Sequence, residues 1–326
     1  MRATIMRAPG NVVVTEVDHP KIIEPTDAII ELAAACICGS DLWPYRGYDK
    51  AENRAMGHEY VGTVVEVGSD VTEVKPGDFV VGSFCISDNT CEICNAGYQS
   101  RCVNGGFVSG TLVVVPGGRP TDPNVLASLL ATSDVLGTGW FGAVAAEAAP
   151  GKTVAVVGDG AVGLLAILAA RELGAERIIA MSRNPQRQAV ATEFGATDIV
   201  EERGEEGVSR VKDLTNGLGA HSVIEAVGTQ QSMTQAIGAC RPGGHVGFVG
   251  VSHDVNLSGG LLFGTEVHLH GGPAPVRRFL PTLIERVLAG TINPGRVFDQ
   301  RIPLDEAPAG YKAMDERRAI KVLLEP

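Results

Sequence analysis

Thiols, an imidazole, a hydroxyl and carboxylates crowd into two short stretches of this chain, Cys36-Ile37-Cys38-Gly39-Ser40-Asp41 and Gly57-His58-Glu59. A thiolate and an imidazole can share a zinc ion, and a catalytic zinc takes three protein ligands and keeps one position open. Spacing alone does not separate that reading from a buried cysteine and a packed histidine. A second concentration is Cys91-Glu92-Ile93-Cys94 followed by Cys102, with Asp88 and Cys85 just upstream. Three thiolates completed by Asp88 or Cys85 could make a tetrahedral structural zinc site. Without metal, the same residues are a lobe of reduced thiols.

The third feature is Val157-Gly158-Asp159-Gly160-Ala161-Val162-Gly163, a G-x-G-x-x-G turn between a β-branched run and an Ala/Leu-rich one. Gly158 would make the tight turn, Gly160 would admit a pyrophosphate close to the backbone, and Gly163 would let a helix pack on its strand. Ala161 and Val162 open that helix, where free N–H groups and the dipole favour a diphosphate. About 20 residues further on, a carboxylate would mark a site for the ribose hydroxyls of NAD. Ser182, Arg183 and Arg187 stand there instead. Guanidinium forks suit a 2′-phosphate, so NADP is favoured over NAD.

The elements that must position these groups fall into two regimes. Up to about residue 130 the chain shows short β-rich runs between Gly and Pro, with strands expected at 11–17, 28–35, 60–67 and 78–83 and a turn at Lys75-Pro76-Gly77-Asp78. From about residue 153, expected strands at 153–157, 177–181, 222–225 and 245–249 alternate with helices at 161–173, 185–194, 231–240 and 275–289. That alternation specifies a parallel, doubly wound sheet. A tail with strand character at 297–302 and 320–324 follows.

Composition narrows the class. The 326 residues carry 27 Lys+Arg against 38 Asp+Glu, a formal charge of −11, which disfavours nucleic acid and anionic membrane as partners. The longest apolar run, 161–170, falls short of the ~18 residues of a membrane span. Charges throughout the first 20 residues argue against a secretory leader. Cytoplasmic placement is expected, and seven cysteines in such a chain suggest metal ligation rather than disulfides.

Taken in order, Cys38-Gly39-Ser40-Asp41, Gly57-His58-Glu59, the stretch 64–77, the cysteines at 91, 94 and 102, and the glycine turn at 158–163 resemble a zinc-dependent alcohol dehydrogenase of the medium-chain dehydrogenase/reductase superfamily. The resemblance covers essentially the whole chain. It implies an α/β protein with a chaperonin-10-like (GroES-like), β-rich catalytic domain at 1–135 and 297–326, and a Rossmann domain with a doubly wound parallel sheet at 136–296. It assigns Cys38, His58 and Asp134 to a catalytic zinc, Glu59 to the neighbourhood of that metal, and Ser40 to the proton of the alcohol. Lys321 falls where the family can place a basic residue near the pyrophosphate. Trp43 stands where the family's proton relay often continues to a histidine.

The implied activity is reversible hydride transfer between a small alcohol and its aldehyde or ketone, with zinc and NADP(H), in a homo-oligomer (dimer or tetramer). The rivals are a zinc-free quinone or enone reductase on the same fold and a non-catalytic zinc-binding interaction protein. Relatives also imply on the order of twenty further residues between Cys102 and Thr111, the size of a long functional loop. Gly110–Thr111 is therefore read as a junction across which residues are missing, in preference to a true deletion.

Overall fold

The computed structural model describes every residue except 108–110, together with the side chain of Phe107 left out. The Gly110–Thr111 junction thus lies outside the described residues. The chain divides into two compact units, Met1–Asp134 with Val276–Pro326, and Val135–Pro275.

In the first unit, six strands form one sheet in the order Phe298–Pro303, Lys321–Glu325, Ala28–Cys36, Tyr60–Val67, Phe79–Gly82, Leu112–Val114. The two strands of the tail pair parallel, and the remaining neighbours run antiparallel. Short β-rich runs punctuated by Gly and Pro give this architecture because each strand can bury one face and turn back after a few residues. The turn at 75–78 forms as expected: Gly77 has φ +94°, and the Asp78 carboxylate accepts from the Lys75 amide at 2.9 Å. Gly62 is required for another reason, since a Cβ there would run into the Glu31 carbonyl of the adjacent strand.

In the second unit, six parallel strands lie in the order Asp198–Val200, Arg177–Met181, Thr153–Val157, Ala220–Glu225, Cys240–Phe248, His268–Gly271. Thr153–Val157 and Ala161–Glu172 meet at the glycine turn. The helix buries Leu164 to Ala170 without a break, which explains why that run is apolar on every side.

The second unit ends earlier than the alternation suggests. Helix Val276–Leu288 belongs to the first unit, so the later boundary falls at 275/276 where the sequence reading puts it at 296/297. The reason is its amphipathic stripe. Val276, Leu280, Leu283, Ile284 and Val287 are all buried, and the helix packs on Pro123–Thr132. Periodicity shows that such a helix has a face to bury but not against which partner.

Candidate active site and cofactor turn

Cys38 follows the strand Ala28–Cys36 and caps a single tight turn, Gly39–Asp41. His58 and Glu59 directly precede the strand Tyr60–Val67, which pairs with Ala28–Cys36. Asp134 follows the helix Pro123–Thr132. Pairing of two neighbouring strands thus brings together residues some twenty positions apart, and the helix adds the third. His58 Nε2 lies 3.2 Å from Asp134 Oδ2, and Cys38 Sγ lies 3.6 Å from the same oxygen. One donor atom from each of Cys38, His58, Glu59 and Asp134 falls within 4.8 Å of all the others. Ligands of one tetrahedral zinc sit about 3.3–3.8 Å apart, given bonds of about 2.0–2.3 Å, so the residues fit the ion.

The electrostatics fit it as well. Burial, with the Glu59 and Asp134 carboxylates, pushes the Cys38 thiol up to about 11. Burial opposes a charge on His58, but Cys38 and Asp134 outweigh it and push the imidazole up to about 12. Zinc bound there would displace these protons, since the metal takes a thiolate and a neutral imidazole. Glu59 is fully buried; its Oε2 atom has no hydrogen-bond partner, while Oε1 accepts from Lys321 Nζ at 2.6 Å.

Asp41 has a role that reading the motif left unassigned. Its Oδ1 lies 3.5 Å from His58 Nδ1, and its Oδ2 accepts from the Cys38 amide at 3.0 Å and from the Tyr311 hydroxyl at 3.5 Å. One carboxylate therefore orients both the thiol-bearing turn and the ring whose other nitrogen faces Asp134. The signal was present in the sequence as an acid three residues after Cys38, the spacing of a cap. Ser40 sits half-buried in the same turn. Phe84 stands edge-on to His58 at 6.3 Å, and Trp43 packs edge-on against Tyr48 at 5.3 Å.

Lys321 is brought to the cluster of Cys38, His58, Glu59 and Asp134 itself. It is fully buried, and its ammonium donates to Glu59 and, at 3.1 Å, to the Ile37 carbonyl. The strand Lys321–Glu325 carries it there by pairing with Ala28–Cys36.

Asp88, Cys91, Cys94 and Cys102 form a second group whose donor atoms all lie within 4.8 Å. The Cys91 and Cys102 sulfurs are 3.9 Å apart. Backbone amides point at the sulfurs, from Cys94 to Cys91 at 3.4 Å and from Asp88 to Cys102 at 3.3 Å. Hydrogen bonds from the Val103 and Cys94 amides hold the Cys91 thiol below its ordinary value. Asp88 is the fourth member. Cys85 is buried in the strand Cys85–Ile86 and stands outside the group.

In the second unit the glycine turn has the geometry its motif requires. Gly158 has φ +121°, a Cβ on Gly163 would strike the Gly158 carbonyl, and nothing lies within 4 Å of a Cβ on Gly160. Gly160 caps the helix whose first residues are Ala161 and Val162. Ser182 ends up buried just past the strand Arg177–Met181, and Arg183 is exposed, donating to the Glu201 carbonyl at 2.8 Å. Arg187 is buried, its guanidinium 3.5 Å from the Asp159 carboxylate. That pairing was not legible in the sequence, because it joins the turn to a helix beyond an intervening helix and strand.

Residues 24–121 match the model of the alcohol dehydrogenase GroES-like domain, and residues 161–286 that of the zinc-binding dehydrogenases. A Mycobacterium tuberculosis protein named "Probable zinc-binding alcohol dehydrogenase" is 36% identical over 330 residues, covering 95% of this chain and 84% of the relative. Zinc-type alcohol dehydrogenase B of Aspergillus flavus is 31% identical over 350 residues, covering 99% and 81%. Among solved structures, alcohol dehydrogenase TADH from Thermus sp. ATN1 superposes with a TM-score of 0.87 at 32% identity, covering 100% of this chain and 99% of the other. A Sinorhizobium meliloti 1021 structure bound to NADP superposes at 0.82 with 27% identity, covering 100% and 99%. With its thiolate–imidazole–carboxylate cluster in one unit and its glycine turn in the other, the chain belongs to the zinc-dependent alcohol dehydrogenases of the medium-chain dehydrogenase/reductase superfamily.

Proposed function

We propose that this chain oxidises small alcohols and reduces the corresponding aldehydes or ketones with NADP(H), using one zinc held by Cys38, His58 and Asp134. The observation that carries the reading is the convergence of these donor atoms on one point with Glu59 alongside. Zinc held by these residues would supply Lewis acidity to the alcohol oxygen, and NADP(H) would supply the hydride acceptor or donor.

The chain's own residues do the rest. Asp41 fixes the His58 ring and the Cys38 turn, so the cluster is held before substrate arrives. Ser40, in the same turn, takes the proton that the alcohol releases. Phe84, beside His58, forms an apolar wall for the substrate. Asp88, Cys91, Cys94 and Cys102 hold a second, structural zinc. Ala161, Val162 and the glycines Gly158, Gly160 and Gly163 receive the pyrophosphate, and the exposed Arg183, beside Ser182, reads the 2′-phosphate. Lys321 acts on Glu59 rather than on the pyrophosphate, since its ammonium is already committed there. A homo-oligomer in the cytoplasm is the expected setting.

The test is metal quantitation combined with a panel of alcohols and aldehydes assayed with each nicotinamide cofactor. Zinc-dependent turnover with higher kcat/KM for NADP supports the reading. Undiminished turnover of enones after complete metal removal would establish the zinc-free reductase instead.

A further inference from the structure

Asp159 sits in the middle of Gly158-Asp159-Gly160, and its side chain does not project into solvent. It is 6% exposed, and two groups from the end of the next strand and the helix beyond meet it. The Ser182 hydroxyl donates to Oδ2 at 2.8 Å, and the Arg187 guanidinium stands 3.5 Å from Oδ1. The same guanidinium donates to the Asp159 carbonyl at 3.0 Å, and Arg187 is 4% exposed. The position that would carry a ribose-reading acid therefore holds a serine, and a carboxylate from the phosphate turn lies one hydrogen bond behind it.

The charges decide what that arrangement favours. Asp159 cancels Arg187, which leaves Arg183 as the exposed cation beside Ser182. A buried carboxylate is poorly screened, so it opposes an arriving 2′-phosphate of about −2 charge more than salt can relieve. It does not oppose a ribose diol, whose hydroxyls donate hydrogen bonds. We propose that Asp159 is a specificity-determining residue of the cofactor site: by holding Ser182 and Arg187 it restrains the preference for a 2′-phosphate and keeps the site open to unphosphorylated ribose. The inference rests on the assignment of Ser182 and Arg183 to the adenosine ribose.

Asp159→Asn tests it, because the amide keeps an acceptor for Ser182 and leaves the carbonyl bond to Arg187 in place. Calorimetry on the zinc-loaded protein without substrate gives Kd for adenosine 2′,5′-bisphosphate and for 5′-AMP, and the readout is their ratio. Removing the buried charge raises the preference for the bisphosphate about 5-fold or more, the scale of a close charge coupling. The gain disappears when Arg187→Met is added, because the cation that Asp159 restrained is gone. A role confined to bracing the turn would weaken both ligands together, and an unchanged or lowered ratio in Asp159→Asn overturns the proposal. Should that variant fail to fold, Asp159→Ser is read by the same ratio. A wild-type ratio below one would refute the NADP preference itself, while the change on substitution still reports on Asp159.

Discussion

At the scale of single residues, the cluster is organised by two groups that need not touch a metal. Asp41 reaches both His58 and the Cys38 amide. Asp41→Asn keeps an acceptor for the amide but lowers the basicity that the carboxylate confers on the ring. Zinc affinity should fall about 10–100-fold, measured by competition with a chromogenic chelator. An unchanged affinity would remove Asp41 from the site's machinery. Lys321 and Glu59 form an ion pair from which water is wholly excluded. Lys321→Met leaves the carboxylate buried without its counter-ion and should cost about 3–5 kcal/mol. Adding Glu59→Gln should restore much of that loss in denaturant titrations, since a buried pair replaced on both sides is often close to neutral.

At the scale of elements, strand pairing and helix packing set what the sites can tolerate. Gly163 lets Ala161–Glu172 lie against the turn, because any side chain there meets the Gly158 carbonyl. Gly163→Val should force the helix outward, destabilising the protein by about 1–3 kcal/mol, and should weaken NADP binding as well. Retained cofactor affinity in an equally stable variant would contradict this. Toward the other edge of the same sheet, His245 and His268 face each other across adjacent strands with ring centroids 4.3 Å apart, and Glu147 lies 3.2 Å from His245. Burial holds His245 below its ordinary value of 6.5; Glu147 works against this, and His268 and Lys152 reinforce it. The folded protein then binds fewer protons here than the unfolded chain, so stability rises with pH and is lost as pH falls below 6.5 toward the lowered folded value. His245→Phe keeps the stacking and should flatten the fall in Tm between pH 7.5 and 5.5 relative to wild type.

For the whole molecule, the two donor groups in the first unit set the metal content. The fold assembles the first from segments around residues 38, 58 and 134, the second comes from the single stretch 88–102, and each presents four candidate ligands. Two zinc ions per chain are expected, and Cys94→Ser should reduce this to one. Because metal binds the native state and not an equivalent site in the unfolded chain, exhaustive chelation should lower Tm, and re-addition of zinc should restore it. A chain that purifies with one zinc, and whose Cys94→Ser variant keeps it, would show that the cysteine lobe stands without metal. Among the described residues, no helix is long and apolar enough to cross a membrane.

Local pattern determined much of this protein. The strands Tyr60–Val67, Thr153–Val157 and Arg177–Met181 and the helix Pro185–Phe194 fall where alternation and helical punctuation place them, because their periodicity and end signals are local. The glycine turn was legible for the same reason: the left-handed φ of Gly158 and the crowding at Gly163 are constraints of a few consecutive residues. The side chains around Cys38 were nameable because Cys38-Gly39-Ser40-Asp41 and Gly57-His58-Glu59 are short stretches whose resemblance to the family also supplied Asp134. Their company was not. Asp41 facing His58, Lys321 meeting Glu59 and Asp159 capturing Arg187 depend on strand register and helix placement between separate segments, and Asp88 rather than Cys85 joining the cysteines depends on the local course of the loop. The helix Val276–Leu288 belongs with them, since an amphipathic stripe has many apolar faces it could cover. Such contacts are chosen by which surfaces pack and which buried charges find a counterpart, and only the tertiary structure decides that.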